Sequence, residues 1–442
     1  MTSTAQPRMR NDEYRSKGAE LGIRDRYISA DFAGLEAEKL WTRVWQVACR
    51  VEEVEKPGDF CEYEIGDQSI LIVRSTDGQI KALHNACQHR GMRLKEGRGT
   101  CSEIRCRSHS WCWNLDGSLK EVTDPHDFDS KAVAPDGLHL PECKVETWAG
   151  FVFINMDPGA IPLDQYLGPV RAHVEHYGID KMVCTRLRTT VIDANWKLCH
   201  EAFIETYHAV GTHPQALQYL DDTGMIYEQH GDHGMHRIKP GNMGKPSARL
   251  GEGAGDREEV LMALMADLAE ADYYNEEDVS LANSLLDTLK SLPEDVTMGT
   301  FFASIRRQQA EAEGIDLNPY DDSELLAGEL WNVFPNFTIP CNAGNALILR
   351  MRPNGLNHEQ CLFDVYYLKL LPEGAERPPM ETEFYEDWRD TKAWGTVLTQ
   401  DFTNLPVWQR GVHSRGYRGP VWGRPDGNVS NLHRAISDYL SR

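Results

Sequence analysis

The sequence predicts an α+β chain in which a small β-rich module precedes a larger domain of mixed helix and strand. Three observations carry that expectation. At 442 residues the chain exceeds what one ordinary core accommodates, so two domains are expected. Between Gln46 and Met156 it runs in short β-branched and aromatic stretches (60–65, 69–73, 151–154), punctuated by the turn pairs Pro57-Gly58, Asp77-Gly78 and Asp116-Gly117. Beyond Pro158, strand-like and helix-like periodicities alternate.

Taken in order, residues 1–41 form a polar helical segment expected to pack on the larger domain, with an amphipathic pattern over 31–45. Residues 42–160 are the β-rich module and 161–442 the mixed domain. In the latter, 186–193 has the pattern of a strand, and 195–207 follows with helical spacing. An apparent helical insertion covers about 216–325, with helices expected over 257–271, 276–289 and 300–313. Strands return at 346–351 and 361–371, and a last long helical region is expected from near Glu381. There is no internal repeat and no low-complexity tract. The glycine-rich run Gly251-Glu252-Gly253-Ala254-Gly255 has no strand before it and is expected to be a loop, not a nucleotide-binding turn.

Composition narrows the function classes. The formal charge of −22 argues against nucleic acid, whose phosphates need a basic surface, and against anionic membranes. The longest apolar stretches, such as Gly150 to Met156, fall far short of a bilayer span. Met1 to Asp12 is polar, without the apolar core of a secretory signal, so a cytoplasmic protein is expected. Eleven scattered cysteines then suggest buried thiols and a few metal ligands, not a disulfide framework.

The segment His84 to Gly117 holds Cys87-Gln88-His89 and, sixteen residues later, Cys106-Arg107-Ser108-His109. Two local Cys-His pairs supply two thiolates and two imidazoles. A Rieske [2Fe–2S] centre puts the thiolates on one iron and the imidazoles on the other, which raises the potential above that of an all-cysteine cluster. A Cys2His2 zinc finger would instead place two cysteines on one arm and two histidines on the other. The interleaving here disfavours it.

The stretch Asn85-Ala86-Cys87-Gln88-His89-Arg90-Gly91-Met92 resembles the first Rieske loop of ring-hydroxylating oxygenases. Ile104-Arg105-Cys106 through Trp111-Cys112-Trp113-Asn114-Leu115-Asp116-Gly117 resembles the second. The family pattern has an aromatic before the second histidine and a glycine after it, where this chain has Ser108 and Ser110. Those departures bear on the redox potential more than on the cluster. Cys101 and Cys112 do not occupy the disulfide positions of respiratory-chain Rieske proteins and are expected to be ordinary thiols.

A second constellation follows in Asn195-Trp196-Lys197-Leu198-Cys199-His200-Glu201-Ala202-Phe203-Ile204-Glu205-Thr206-Tyr207-His208, and on to His213-Pro214. On a continuous helix Glu201, Glu205 and His208 would share a face, with Gly211 and Pro214 ending it so that His213 approaches His208. Two neutral histidines and one carboxylate make the facial triad of non-haem Fe(II) oxygenases, leaving coordination positions open. The passage is similar to the catalytic helix of the same oxygenase family. That resemblance makes His208 and His213 ligands of a mononuclear iron. It puts Glu205 at the position of an acidic residue bridging the two centres, where most members have aspartate, and Ala202 where many have asparagine. Gln400-Asp401-Phe402 leading to Trp408-Gln409-Arg410-Gly411 resembles the family's closing motif and makes Asp401 the carboxylate ligand. Asp364, on an expected strand, is the competitor.

The resemblance covers residues 25–180, 185–215 and 330–425, and identifies the chain as a member of the alpha (catalytic oxygenase) subunits of Rieske non-haem iron ring-hydroxylating oxygenases. It implies a helix-over-antiparallel-sheet (START/helix-grip-like) catalytic domain. It also implies an enzyme that uses dioxygen to mono- or cis-dihydroxylate a hydrophobic, aromatic substrate, although relatives also demethylate at oxygen or nitrogen. With no nicotinamide or flavin fingerprint in the chain, electrons originating from NAD(P)H must arrive through a separate flavin reductase or ferredoxin. Because in this family the cluster of one subunit serves the iron of its neighbour, a homotrimer is expected, with or without a small β subunit. A pure electron-transfer Rieske protein, or a ligand-binding module without the second metal, are the readings from other classes.

Overall fold

The computed structural model describes residues 24–442 except 252, 270–284, 327 and 390, together with all but the side chains of 136, 268, 269 and 391. The chain divides into two compact units. One comprises residues 33–168 with 353–357 and 439–442, and the other the residues up to Phe32 with 169–352 and 358–438. Most of the expected N-terminal segment, residues 1–23, lies outside the described residues.

The smaller unit is made of ten short strands: β1 (Gln46–Arg50), β2 (Asp59–Ile65), β3 (Gln68–Arg74), β4 (Ile80–His84), β5 (Arg98–Thr100), β6 (Ile104–Arg105), β7 (Cys112–Trp113), β8 (Leu119–Glu121), β9 (Lys144–Trp148) and β10 (Phe151–Asn155). They form three sheets in the orders β1-β10-β9, β4-β3-β2-β5 and β6-β7-β8. Asp77-Gly78 turns β3 into β4, with Gly78 at positive φ as such a tight return requires. The core of this unit contains Leu71, Leu83, Trp111 and Trp113, and with them the sulfurs of Cys87 and Cys106.

The larger unit is built on an eight-stranded sheet of β11 (Val183–Ile192), β12 (Ile226–His230), β13 (His233–Arg237), β14 (Glu329–Val333), β15 (Phe337–Cys341), β16 (Asn345–Asn354), β17 (Asn357–Lys369) and β18 (Glu381–Tyr385). The strand order is β12-β13-β14-β15-β16-β17-β11-β18. Helices Trp196–Glu201, Thr391–Val412 and Gly427–Leu440 belong to the same unit. The Thr391–Val412 helix is broken near its start, where Gly395 takes a φ of 71°. No helix among the described residues is long and apolar enough to cross a membrane.

Three expectations need correcting. The helix expected over 195–207 ends at Glu201. Glu201 is buried, accepting from the Tyr27 hydroxyl at 2.9 Å and lying 2.9 Å from His433 Nε2, so it does not share a face with Glu205 and His208. The region near Glu381 begins as strand β18, running parallel to β11 and tied to it by an Arg188–Glu383 ion pair at 2.9 Å; the helix starts at Thr391. The 216–325 segment is not wholly helical, because β12 and β13 lie in it. Its helices Arg257–Ala269 and Met298–Ala312 share an apolar cluster that includes Leu261, Phe301, Phe302 and Tyr219. Burying the two phenylalanines contributes roughly 1.5–3 kcal/mol each. The Thr297 hydroxyl caps the second helix, accepting from the Thr300 N–H at 3.1 Å. The helix expected over 276–289 lies partly outside the described residues.

Candidate functional site

In the smaller unit, the two Cys-His loops repeat one backbone pattern. The Cys87 N–H donates to the Met92 carbonyl and the Gly91 N–H to the Cys87 carbonyl, both at 2.8 Å. In the second loop the Cys106 N–H donates to Trp111 at 2.8 Å and the Ser110 N–H to Cys106 at 3.0 Å. Each loop folds back on its cysteine, presenting that thiol inward and its histidine toward the other loop. The thiols of Cys87 and Cys106 are adjacent; burial pushes the Cys87 pKa up, and the neighbouring thiol adds to it. The rings of His89 and His109 lie 4.7 Å apart, and His89 stacks on Trp111 at 4.7 Å. His89 Nδ1 is buried and has no hydrogen-bond partner among the described residues. Two thiols, two imidazoles and an orphaned ring nitrogen fit a [2Fe–2S] cluster, which takes thiolates on one iron and neutral imidazoles on the other.

Side chains outside the four candidates hold these loops. The Asn85 carboxamide accepts from the N–H groups of Leu94 and Lys95 at 3.1 and 3.0 Å and donates to the Lys95 carbonyl at 2.7 Å. Trp113 Nε1 donates to the Leu138 carbonyl at 2.7 Å. Cys101 and Cys112, like the other nine cysteines, are free thiols.

In the larger unit, His208, His213 and Asp401 converge, with one potential ligand atom from each lying within 4.8 Å of the others. Asp401 Oδ1 is 3.1 Å from His213 Nε2 and 3.7 Å from His208 Nε2. The other nitrogen of each ring is engaged. His208 Nδ1 is 2.7 Å from Glu205 Oε1, and His213 Nδ1 is 2.8 Å from Gln400 Oε1. Since Glu205 as carboxylate and Gln400 through its carbonyl can only accept, both imidazoles donate from Nδ1 and turn Nε2 inward. That is the orientation a divalent metal needs. Burial lowers the His213 pKa, but its bonds to Asp401 and Gln400 more than offset this and raise it. A metal, which takes only neutral imidazole, would displace that proton.

Local sequence explains how these residues meet. After Glu201 the chain leaves the helix, and the Glu205 carboxylate accepts from the N–H groups of Tyr207 and His208, the latter at 3.2 Å. These bonds precede the short helix Ala209–Thr212, placing His208 and His213 at its two ends. Asp401 comes from the Thr391–Val412 helix and is buried. The same helix carries Gln409, whose carbonyl oxygen accepts the Asn195 N–H at 2.9 Å. Asn195 in turn caps the Trp196–Glu201 helix through Lys197 N at 3.0 Å. The two distant sequence motifs are thus joined by a direct hydrogen bond. Asp364 is elsewhere: it accepts from Arg350 at 2.8 Å, Arg352 at 3.1 Å and Thr189 at 2.7 Å. Burial would raise its pKa, yet the two guanidiniums hold it at about 2.

Gln400, Gln215 and Gln409 were not singled out by sequence reasoning as functional. Gln400 and Gln409 flank Asp401 within its motif, which is the signal available in the sequence; Gln215 follows His213-Pro214 and carries none.

The description "Ring hydroxylating alpha subunit (catalytic domain)" matches residues 171–442, and "Rieske [2Fe-2S] domain" matches residues 44–135. The chain is 31% identical over 193 residues to benzene 1,2-dioxygenase subunit alpha of Pseudomonas putida, covering 42% of each chain. It is 32% identical over 185 residues to the carnitine monooxygenase oxygenase subunit of Escherichia coli (strain K12), covering 40% of this chain and 48% of that one. The chain therefore spans less than half the length of these curated relatives. Among solved structures, the quaternary ammonium Rieske monooxygenase CntA in complex with L-carnitine is similar with a TM-score of 0.65 at 18% identity, over 98% of this chain and 99% of that one. Naphthalene 1,2-dioxygenase from Rhodococcus sp. bound to indole gives 0.61 at 18% identity, over 97% and 98%.

Proposed function

We propose, for a chain that belongs to the ring-hydroxylating alpha-subunit family and carries a Rieske [2Fe-2S] domain, that it is the oxygenase component of a multicomponent system hydroxylating an organic substrate. The observation that carries this reading is the convergence of His208, His213 and Asp401 with both Nε2 atoms turned inward. In this reading Cys87, His89, Cys106 and His109 hold the cluster, and His208, His213 and Asp401 hold a mononuclear ferrous ion. When bound, that ion supplies the dioxygen chemistry that side chains cannot. Glu205 fixes the His208 tautomer and is the carboxylate through which the two centres communicate. Electrons come from a separate reductase or ferredoxin, and the working assembly is a homotrimer. The nine cysteines outside the cluster loops' ligands, free as thiols, support a reducing, cytoplasmic setting.

The substrate is hydrophobic and aromatic in the primary reading. Support comes from Trp394 and Phe402, on the helix bearing Asp401, with Phe402 packing on Phe363 and Phe363 on Phe203. A second reading, monohydroxylation of a polar substrate with loss of a methyl group, draws on two buried groups without hydrogen-bond partners among the described residues, His236 Nδ1 and Asn332 Nδ2. Gly234 pairs with Asn332 across β13 and β14, so His236, two residues on, projects from the same face. His200 marks that face as the one toward the Trp196–Glu201 helix, its Nε2 lying 2.6 Å from Asn332 Oδ1.

The test is electron paramagnetic resonance of the anaerobically reduced protein with nitric oxide, a dioxygen surrogate that needs no redox partner. A high-spin iron–nitrosyl signal, reshaped by one class of compound from a panel of aromatic and methylated probes, is expected. A cluster signal without any nitrosyl species, in iron-replete protein, would leave only an electron carrier.

A further inference from the structure

The helix Arg257–Ala269 reaches the candidate iron site through a relay of side chains. We infer that Asp267, on the helix Arg257–Ala269, fixes the tautomer of the His213 imidazole through Gln215 and Gln400, and thereby sets how tightly the site holds its metal. This rests on reading His208, His213 and Asp401 as the metal ligands.

A carboxamide can turn either its oxygen or its nitrogen toward a neighbour, so a pair of glutamines does not by itself fix which end faces a histidine. Asp267 removes that freedom. Its carboxylate only accepts, and the Tyr219 hydroxyl donates to its Oδ2. Gln215 must therefore turn its amino group toward Asp267, where Nε2 lies 3.5 Å from Oδ1. The second hydrogen of that amino group goes to Gln400 Oε1 at 2.9 Å, while Gln400 Nε2 returns one to Gln215 Oε1 at 3.2 Å. With both glutamines so oriented, the atom facing His213 Nδ1 at 2.8 Å is an acceptor. His213 Nδ1 then carries a proton, and Nε2 is the nitrogen left for a metal beside Asp401. Reversing the glutamine pair would present an amino group to Nδ1 and drive the proton to Nε2, where it blocks metal ligation. The segment's role is thus to make one of two amide arrangements the stable one.

The experiment measures ferrous-ion affinity by anaerobic competition with a chelator, on protein whose cluster absorbance shows that the smaller unit is intact. Asp267→Leu and Gln400→Leu are each expected to weaken iron binding by about 10- to 100-fold. Gln400→Glu, which keeps an acceptor facing Nδ1, is expected to retain it. The nitrosyl signal of the two leucine variants should shift even at saturating iron, a change that general loosening of the fold would not give. Native affinity and an unaltered nitrosyl signal in Asp267→Leu overturn the inference. If that variant does not fold, the contrast between Gln400→Leu and Gln400→Glu decides, and equal affinity in the two overturns it. A wild-type chain that binds no iron beyond its cluster would instead overturn the assignment of the three ligands.

Discussion

Ser110 occupies in the second cluster loop the place that Gly91 occupies in the first, four residues beyond the loop's cysteine, with φ of +61° against +74°. Both backbones close the same hydrogen-bonded return, and both must enter the left-handed region to do so. Serine does this at a cost of roughly 1–2 kcal/mol that glycine avoids, partly offset by glycine's larger unfolded-state entropy. Ser110→Gly is expected to raise the temperature at which the cluster bleaches, and Ser110→Val, with a β-branched side chain, to lower it. A glycine variant that bleaches earlier than the wild type would show the serine is unstrained.

Asp364 and Asp401 are both buried carboxylates, and their substitution should fail in opposite ways. Asp364→Asn removes the buried carboxylate charge facing Arg350 and Arg352 and is expected to cost about 3–5 kcal/mol of stability, with iron retained by the folded fraction. Asp401→Asn is expected to lose the mononuclear iron while keeping the cluster and most of the stability. Iron analysis alongside thermal unfolding separates the two, and iron loss from the Asp364 variant at full stability would return it as the ligand.

The Asn195–Gln409 bond predicts a purely structural effect. Gln409→Leu strands the Asn195 N–H beneath the helix it starts, so stability should fall by about 1–3 kcal/mol. Denaturant unfolding measures it, and a change below a few tenths would mean that another acceptor takes over.

His200 predicts a pH dependence. Burial pushes its pKa down to about 4, with the Asn332 hydrogen bond pulling the other way. Unfolded, the ring titrates near 6.5, so between pH 6.5 and 4 the unfolded chain binds a proton that the folded chain refuses. Stability should therefore fall as pH drops through that window and level off below it, by on the order of 3 kcal/mol for this group. Wild type and His200→Gln, compared across the window, should diverge at the wild type's expense; parallel profiles would show that His200 takes its proton without unfolding.

How much of this was legible beforehand depends on how far apart the interacting residues lie in the chain. The candidate cluster residues were legible because each Cys-His pair is local and each loop closes on itself. His208 and His213 were legible for the same reason. The helix end at Glu201 was not, because the spacing through 207 is helical; what breaks it is tertiary burial of Glu201 against Tyr27 and His433, and Glu205 accepting N–H groups ahead of it. Strand β18 was missed because Glu381 and Glu383 suit an exposed helix equally well, and it is pairing with β11, with Arg186 and Arg188 opposite the two glutamates, that selects the strand. The Gln215–Gln400 pairing joins residues far apart in sequence, and neither side chain advertises a partner.

The triad at His208, His213 and Asp401 also has a thermodynamic side. Its members meet only when the short helix after Glu205 and the Thr391–Val412 helix are both in place, so the unfolded chain offers no comparable site. On the proposed ligand assignment, an ion taken up there would act as a removable cross-link between segments remote in the chain. The stability of the larger unit would then depend on free ferrous concentration, rising by about 2.7 kcal/mol at a hundredfold excess over the dissociation constant. Iron starvation would therefore deplete the fold as well as the activity.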